Sequence, residues 1–136
     1  MRVAFVLARY GESVLGGAES LGRGLAKMAA DRGWDIEVWT TSALNSFTWE
    51  NEISPGKSSE DGVTVRRFAI DAWDRSDFDT LNLRLLRQAE LTPLRQYEWI
   101  ASGPHSSALN RHVRNEAANF DAIIVMPYLS SIIFDA

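Results

Sequence analysis

The sequence contains no cysteine and only two histidines in 136 residues. The absence of cysteine excludes disulfide bonds, thiolate metal sites and cysteine nucleophiles, and it fits a reducing compartment such as the cytoplasm. The two histidines, His105 and His112, have no carboxylates at ligand spacing beside them. The sequence therefore offers no metal-binding motif, and no metal cofactor is expected.

Long hydrophobic runs and an excess of basic charge are also lacking. No apolar run approaches the ~20 residues of a transmembrane helix, and the N-terminal run is too short for a signal-peptide core. The net charge of -4 argues against duplex nucleic acid as a partner. With 46% hydrophobic and 24% charged residues, the composition is that of an ordinary globular domain, and the length fits one domain.

What is present is an alternation of strands and helices. Val3–Leu7 is a continuous apolar run, typical of a strand covered on both faces in a parallel sheet. Ala18–Arg32 has helical periodicity and ends at Gly33, and a second strand surrounds Ile36 and Val38. The predicted buried stripe of the helix is Ala18, Leu21, Leu25, Met28 and Ala29. This βαβ pattern predicts an α/β architecture with a parallel sheet.

The remaining elements follow from the same periodicities. Thr41–Asp61 is rich in polar and turn-forming residues and is predicted to be a long loop. Val63–Phe68 alternates and predicts a third strand near an edge of the sheet. Asp77–Glu90 and Ser106–Ala118 have helical periodicity, and Ala122–Met126 is a second fully apolar strand.

The connection from the first strand to the first helix ends in the pair Gly16 and Gly17. Glycines at a helix N-terminus allow a phosphate or a sugar to approach unpaired backbone N–H groups, although a tight turn that needs positive φ is an alternative explanation. The spacing lacks the dinucleotide fingerprint and the phosphate-loop lysine. Thr40 and Thr41 stand where an acidic ribose ligand would be expected. NAD binding and P-loop hydrolysis are therefore disfavoured.

Other residues are weaker candidates for a site. His105, near a helix start, is a candidate contact for a substrate hydroxyl or phosphate, whereas His112 beside an inward helix face is predicted to be structural or solvated. Phe47 and Trp49 indicate that the long loop folds back on the body or lines a cleft. Arg66–Arg67 is predicted to lie on an exposed strand face, with anion binding as the alternative.

Short segments in a characteristic order extend over nearly the whole chain: Met1–Val6, Arg9–Gly11, Gly16–Glu19, Leu25–Ala26, Arg32–Val38, Thr48–Trp49, Asn51, Pro55–Gly56, Asp61–Phe68, Trp99, Gly103–Pro104, Phe120–Ile124 and Tyr128. Together they resemble the N-terminal domain of a family 4 glycosyltransferase of the two-domain GT-B type. The resemblance implies a Rossmann-like parallel sheet with helices on both faces, which is one half of a GT-B fold.

The resemblance also implies a function. Such enzymes transfer a hexose from a nucleotide-sugar donor to a saccharide or lipid-linked acceptor, retain the anomeric configuration and generally need no metal. Gly16 and Gly17 would lie at the donor diphosphate, and Trp49 and Asn51 on the acceptor side. Tyr128 stands where many members carry a histidine near the reacting sugar, so it is only a candidate sugar contact.

The resemblance implies that this chain is a truncated part of a two-domain enzyme. Residues 1–136 would form the acceptor-side domain, and the donor-binding domain would be absent, because the chain finishes on an apolar run after a core strand. The fragment alone should be inactive. A lipid-linked acceptor would bring the cytoplasmic enzyme to the inner face of a membrane. The alternative is a stand-alone α/β domain that binds a ligand or a protein and performs no catalysis.

Overall fold

The computed structural model describes residues 1–127 and 131–134. Within them the chain forms five strands and five α-helices, in an α/β fold. In chain order the elements are β1 (Arg2–Leu7), α1 (Gly17–Asp31), β2 (Asp35–Thr41), β3 (Gly56–Glu60), β4 (Val63–Phe68), α2 (Ser76–Leu86), α3 (Pro93–Ala101), α4 (Ser107–Glu116), a 3-10 turn (Ala117–Asn119), β5 (Ala122–Met126) and α5 (Ser131–Phe134).

The strands form one five-stranded sheet in the order β3-β4-β2-β1-β5. β1 pairs in parallel with both β2 and β5, and β2 pairs in parallel with β4, whereas β3 is antiparallel to β4. The sheet is therefore mixed but mostly parallel, and helices flank it. This confirms the predicted α/β fold of Rossmann-like type, with one antiparallel strand that was not predicted.

Two hydrophobic clusters lie on opposite faces of the sheet, because successive side chains of a strand point to opposite sides. Val3, Phe5 and Leu7 of β1 belong to the cluster that contains Ala26 of α1. The intervening side chains of β1 belong to the other cluster, which includes Leu109 of α4. The apolar run of β1 is thus explained by burial on both faces.

The predicted loop from Thr41 to Asp61 is wrong in its last third, where β3 forms a hairpin with β4. Its sequence, Gly56–Glu60, is polar and almost fully exposed, so it lacks the apolar alternation that identifies a half-buried strand. The turn consists of Asp61 and Gly62, both with positive φ (52° and 78°), as a two-residue hairpin requires. β3, and not β4, therefore forms this edge of the sheet.

The same hairpin corrects the prediction for Arg67. Its side chain is only 4% exposed, and it is not on a solvated strand face. The guanidinium pairs with Glu60 of β3 at 2.7 Å and donates a hydrogen bond to the Tyr10 carbonyl at 2.9 Å. Arg67 is buried because β3 supplies a carboxylate to it, which the sequence pattern did not reveal.

The buried face of α1 also differs from the predicted stripe. Gly22 and Ala26 are buried, whereas Leu21 and Met28 are 55% and 45% exposed. The helix lies so close to β1 that a Cβ on Gly22 would overlap the Leu7 side chain. Small residues therefore face the sheet, and the larger ones flank the contact.

The region between the last two predicted helices contains a further helix, α3. The predicted helix Asp77–Glu90 ends early, as α2, and its last residue, Leu86, is 75% exposed. Pro93 is the first residue of α3, where its missing N–H costs nothing. The Thr92 hydroxyl accepts a hydrogen bond from the Arg95 amide at 3.4 Å and caps the helix.

Candidate functional site

The carboxyl end of β1 is the point at which the strand order reverses. The next strand along the chain, β2, pairs with one edge of β1. The last strand, β5, pairs with the opposite edge of β1. In open α/β sheets, ligands bind in the crevice outside the carboxyl ends of the strands at such a switch point. The loop 8–16 and the N-terminus of α1 lie there, so this is the candidate site.

Gly16 and Gly17 are held differently at this helix N-terminus. Gly16 is extended (φ 163°, ψ 144°) and no side chain caps the helix. The alternative explanation of a turn that needs positive φ is therefore wrong for Gly16. A Cβ on Gly16 would overlap the Glu19 carboxylate, whereas a Cβ on Gly17 would meet no atom within 4 Å. The Glu19 carboxylate therefore occupies the space beside Gly16, whereas the space beside Gly17 is open.

Arg9 is the central charged residue of the site. Its Nη2 lies 2.6 Å from Oε1 of Glu19, and the two side chains are only 9% and 12% exposed. Nη1 donates to the Leu44 carbonyl at 2.9 Å, and the guanidinium carbon lies 5.8 Å from the centre of the Trp49 ring. Arg9 therefore connects the loop after β1, the start of α1 and the loop after β2.

Sequence reasoning did not single out Arg9 or its pairing with Glu19. Glu19 lies in the first turn of α1, where an acidic side chain interacts favourably with the helix dipole. The available signal was an arginine directly after a buried strand, since a charge at that position needs a partner. The partner's identity depends on tertiary structure.

Trp49 and Asn51 anchor the long loop to the body. Trp49 packs against the cluster on the α4 face of the sheet, which confirms that the loop folds back. Asn51 exchanges two hydrogen bonds with the backbone of Ile70, from Nδ2 to the carbonyl at 3.0 Å and from the amide to Oδ1 at 2.7 Å. The loop is thereby fixed beside the residues that follow β4. A role in acceptor binding stays a prediction.

His105 lies between α3 and α4. Its Nε2 is 2.8 Å from the Ala101 carbonyl, and its own carbonyl accepts a hydrogen bond from the Asp71 amide at 2.9 Å. Asp71 in turn accepts from the Ser107 amide and hydroxyl at 2.9 and 2.6 Å. These contacts attach the segment after β4 to the start of α4. Tyr128 lies outside the described residues.

The buried carboxylate of Glu37 belongs to the sheet and lies away from its carboxyl edge. Oε2 accepts hydrogen bonds from Arg66 Nε at 2.7 Å and from Trp39 Nε1 at 3.0 Å. Burial alone would raise the pKa of Glu37, but the hydrogen bonds from Arg66 and Trp39 lower it to about 2. Glu37 is thus ionised at neutral pH and holds neighbouring strands together.

His112 packs against aromatic side chains, which agrees with the structural one of the two alternatives predicted for it. Its ring packs edge-on against Trp39 with centroids 4.7 Å apart, and 4.9 Å from the ring of Phe68. Burial lowers the pKa of His112, and the positive charge of Arg66 lowers it further. The imidazole is therefore a neutral part of the core beneath α4.

Comparison with protein-family models, with curated proteins and with solved structures gives no match to this chain. Across residues 1–127 and 131–134, no three His, Asp or Glu side chains are grouped so that they would hold a metal ion. The same residues include no helix with the length and apolar character needed to cross a bilayer. Functional assignment therefore depends on the switch-point geometry and on the sequence resemblance.

Proposed function

We propose that this chain is the N-terminal, acceptor-side domain of a retaining glycosyltransferase that transfers a hexose from a nucleotide sugar to a saccharide or lipid-linked acceptor. The observation that supports this best is the position of Gly16 and Gly17. They stand at the N-terminus of α1 beside the carboxyl end of β1, where the strand order reverses. That is where an α/β sheet binds phosphorylated ligands.

The turn suits the charge that develops on a departing nucleoside diphosphate. The first amide of α1 with a partner inside the helix is that of Ser20, which donates to the Gly16 carbonyl at 2.9 Å. The amides of Gly17, Ala18 and Glu19 precede it, and the helix dipole adds positive potential there. Because Glu19 covers Gly16 and Gly17 is open, a diphosphate would approach on the Gly17 side. Backbone donors fixed in this way stabilise leaving-group charge.

In the proposed enzyme, two domains bind different parts of the substrates. A second, donor-binding domain would hold the nucleoside, and no metal is required in such a mechanism. Trp49, Asn51, His105 and Tyr128 are proposed to lie on the acceptor side of the cleft. The enzyme would act in the cytoplasm, with peripheral membrane contact if the acceptor is lipid-linked. This chain alone would be inactive.

The reading frame and a binding experiment test this division. We expect the gene to continue into a second α/β pattern that carries a Glu-x7-Glu motif. In thermal-shift titrations with UDP and GDP, the longer protein should be stabilised by one of them, and residues 1–136 alone should not. A stop codon at Ala136, or tight nucleoside binding by residues 1–136, would contradict the proposal.

A further inference from the structure

We infer that the cavity between the β3–β4 hairpin and α4 binds a small phosphate monoester. This hairpin cavity has a volume of about 390 Å³, within the range of small-molecule sites. Lys57, Arg66 and His112 line it on the polar side, and Pro55 and Phe68 provide apolar surface. Among the described residues, no acidic side chain lines it.

The hairpin cavity lies on the face of the sheet opposite the Gly17 turn. Phe68 packs against the hydrophobic cluster that includes Leu109 of α4. Arg66 points to the same face, because side chains two residues apart on a strand share a face. α1, which begins at Gly17, packs on the other face of the sheet. An anion in the hairpin cavity is therefore distinct from the proposed donor diphosphate, and the inference does not depend on the proposed function.

Two cations stand side by side in this cavity. Lys57 of β3 and Arg66 of β4 are directly opposite each other in the antiparallel register. Residues in this arrangement point to the same face of the sheet, with their Cβ atoms about 5 Å apart, and like charges there repel each other. A bound anion would remove that repulsion, because it would attract both side chains.

Both cations keep hydrogen-bond donors for a ligand. Glu37 accepts hydrogen bonds from Nε and Nη2 of Arg66 at 2.7 and 3.4 Å, whereas Nη1 has no partner among the described residues. The Lys57 ammonium group forms no hydrogen bond or ion pair with any residue that the structure describes. Hydrogen bonds from an ammonium or a guanidinium group to phosphate oxygens are charge-assisted and therefore strong.

The charge of the lining favours an anionic ligand. Arg66 and Arg67 each pair with a carboxylate of a neighbouring strand at 2.7 Å, so Lys57 is left as the uncompensated charge. Glu116, in the last turn of α4, adds a negative charge near Arg66 but does not line the cavity. The hairpin cavity therefore attracts an anion, and salt should weaken this attraction because Lys57 is exposed.

The other walls favour an ester over inorganic phosphate. Nε2 of His112 is buried and has no hydrogen-bond partner in the described part of the chain, so one wall carries an unsatisfied polar atom. Pro55 and Phe68 supply apolar surface that inorganic phosphate would leave without contacts. A phosphate monoester has terminal oxygens for the cations and an organic group for the apolar wall.

The test is an NMR titration of the ¹³C,¹⁵N-labelled chain with phenyl phosphate, inorganic phosphate, benzoate and phenol. At a constant ionic strength of about 100 mM and up to about 20 mM ligand, phenyl phosphate should shift the amides of residues 56–57 and 66–68 and the His112 ring. Inorganic phosphate and benzoate should bind at least about threefold more weakly, and phenol should leave these resonances in place. No shift with phenyl phosphate, equal affinity for benzoate, or the same shifts with phenol would overturn the inference.

The two lysines of the chain provide a matched pair of variants. Lys57→Gln and Lys27→Gln each remove one positive charge from an exposed side chain, but Lys27 lies on α1 and pairs with Asp31 at 3.0 Å. Lys57→Gln should weaken phenyl phosphate binding about fivefold or more, and Lys57→Arg should retain it. Lys27→Gln should bind as wild type does. Equal weakening by Lys57→Gln and Lys27→Gln would show that only net charge matters and would contradict the site.

The pattern of shifted amides separates this inference from the proposed function. Shifts confined to residues 17–19 would place the anion at the start of α1, which would contradict the hairpin cavity and agree with the proposed donor site. Shifts at residues 56–57 and 66–68 would support the hairpin cavity whether or not the longer protein transfers hexose.

Discussion

Replacing Gly16 by alanine tests how the start of α1 is organised. The new Cβ would overlap the Glu19 carboxylate, which is held 2.6 Å from Arg9 in a largely buried pair. Displacing Glu19 leaves Arg9 poorly compensated, and we expect a loss of about 1–3 kcal/mol in the free energy of unfolding. Gly17→Ala is the matched neighbour, because its Cβ meets open space, and it should be neutral or stabilising by up to about 1 kcal/mol.

Urea denaturation monitored by tryptophan fluorescence gives both values, since the chain contains five tryptophans. A double-mutant cycle sharpens the result: in a Glu19→Ala background the carboxylate is gone, so Gly16→Ala should cost little there, with a coupling of at least about 1 kcal/mol. If Gly16→Ala and Gly17→Ala are equally stable, or if the cycle shows no coupling, the contact between Gly16 and Glu19 is not what requires glycine.

Two further predictions concern stability away from the site. Glu37 has a folded pKa of about 2, below its ordinary 4.5, so it contributes about 3 kcal/mol above pH 4.5 that is lost as the pH falls towards 2. Urea unfolding against pH should show this loss, and Glu37→Gln, which removes the partner of Arg66, should flatten the profile in that window. Gly103→Ala should destabilise by about 1–3 kcal/mol, because its Cβ would overlap Ser131. Gly24→Ala should not destabilise the protein, because a Cβ at Gly24 would lie in open space. Equal stability of Gly103→Ala and Gly24→Ala in the same assay would refute the overlap at Gly103.

Elements with a clear apolar pattern or a terminating glycine in the sequence could be predicted. β1 is a continuous apolar run and is buried on both faces, whereas the equally apolar β5 leaves Ile124 and Val125 37% and 40% exposed. Gly33, with φ 82°, ends α1 as a left-handed residue should. β3 could not be predicted in this way, because its polar side chains are exposed and only its backbone is paired. Its presence is specified by the partner strand β4 and by the Asp61–Gly62 turn.

The candidate site was predictable as a position but not as a set of contacts. A glycine pair between a buried strand and a helix locates the turn at the sheet's carboxyl edge. The pairing of Arg9 with Glu19 depends on how the loop after β1 folds over the helix start, and hydrophobic periodicity carries no information about that. Likewise, the two hydrogen bonds from Asn51 to Ile70 join segments nineteen residues apart.

The central claim is that the open side of the Gly17 turn receives the donor diphosphate. The most direct measurement is kcat/KM for hexose transfer by the longer protein carrying Gly17→Val, with Gly24→Val as control. Both positions lie on α1 in open space, seven residues or about 10 Å apart along the helix. We predict that Gly17→Val lowers kcat/KM by about 10²-fold or more without unfolding the protein, and that Gly24→Val does not. Equal activity of the two variants would contradict the account.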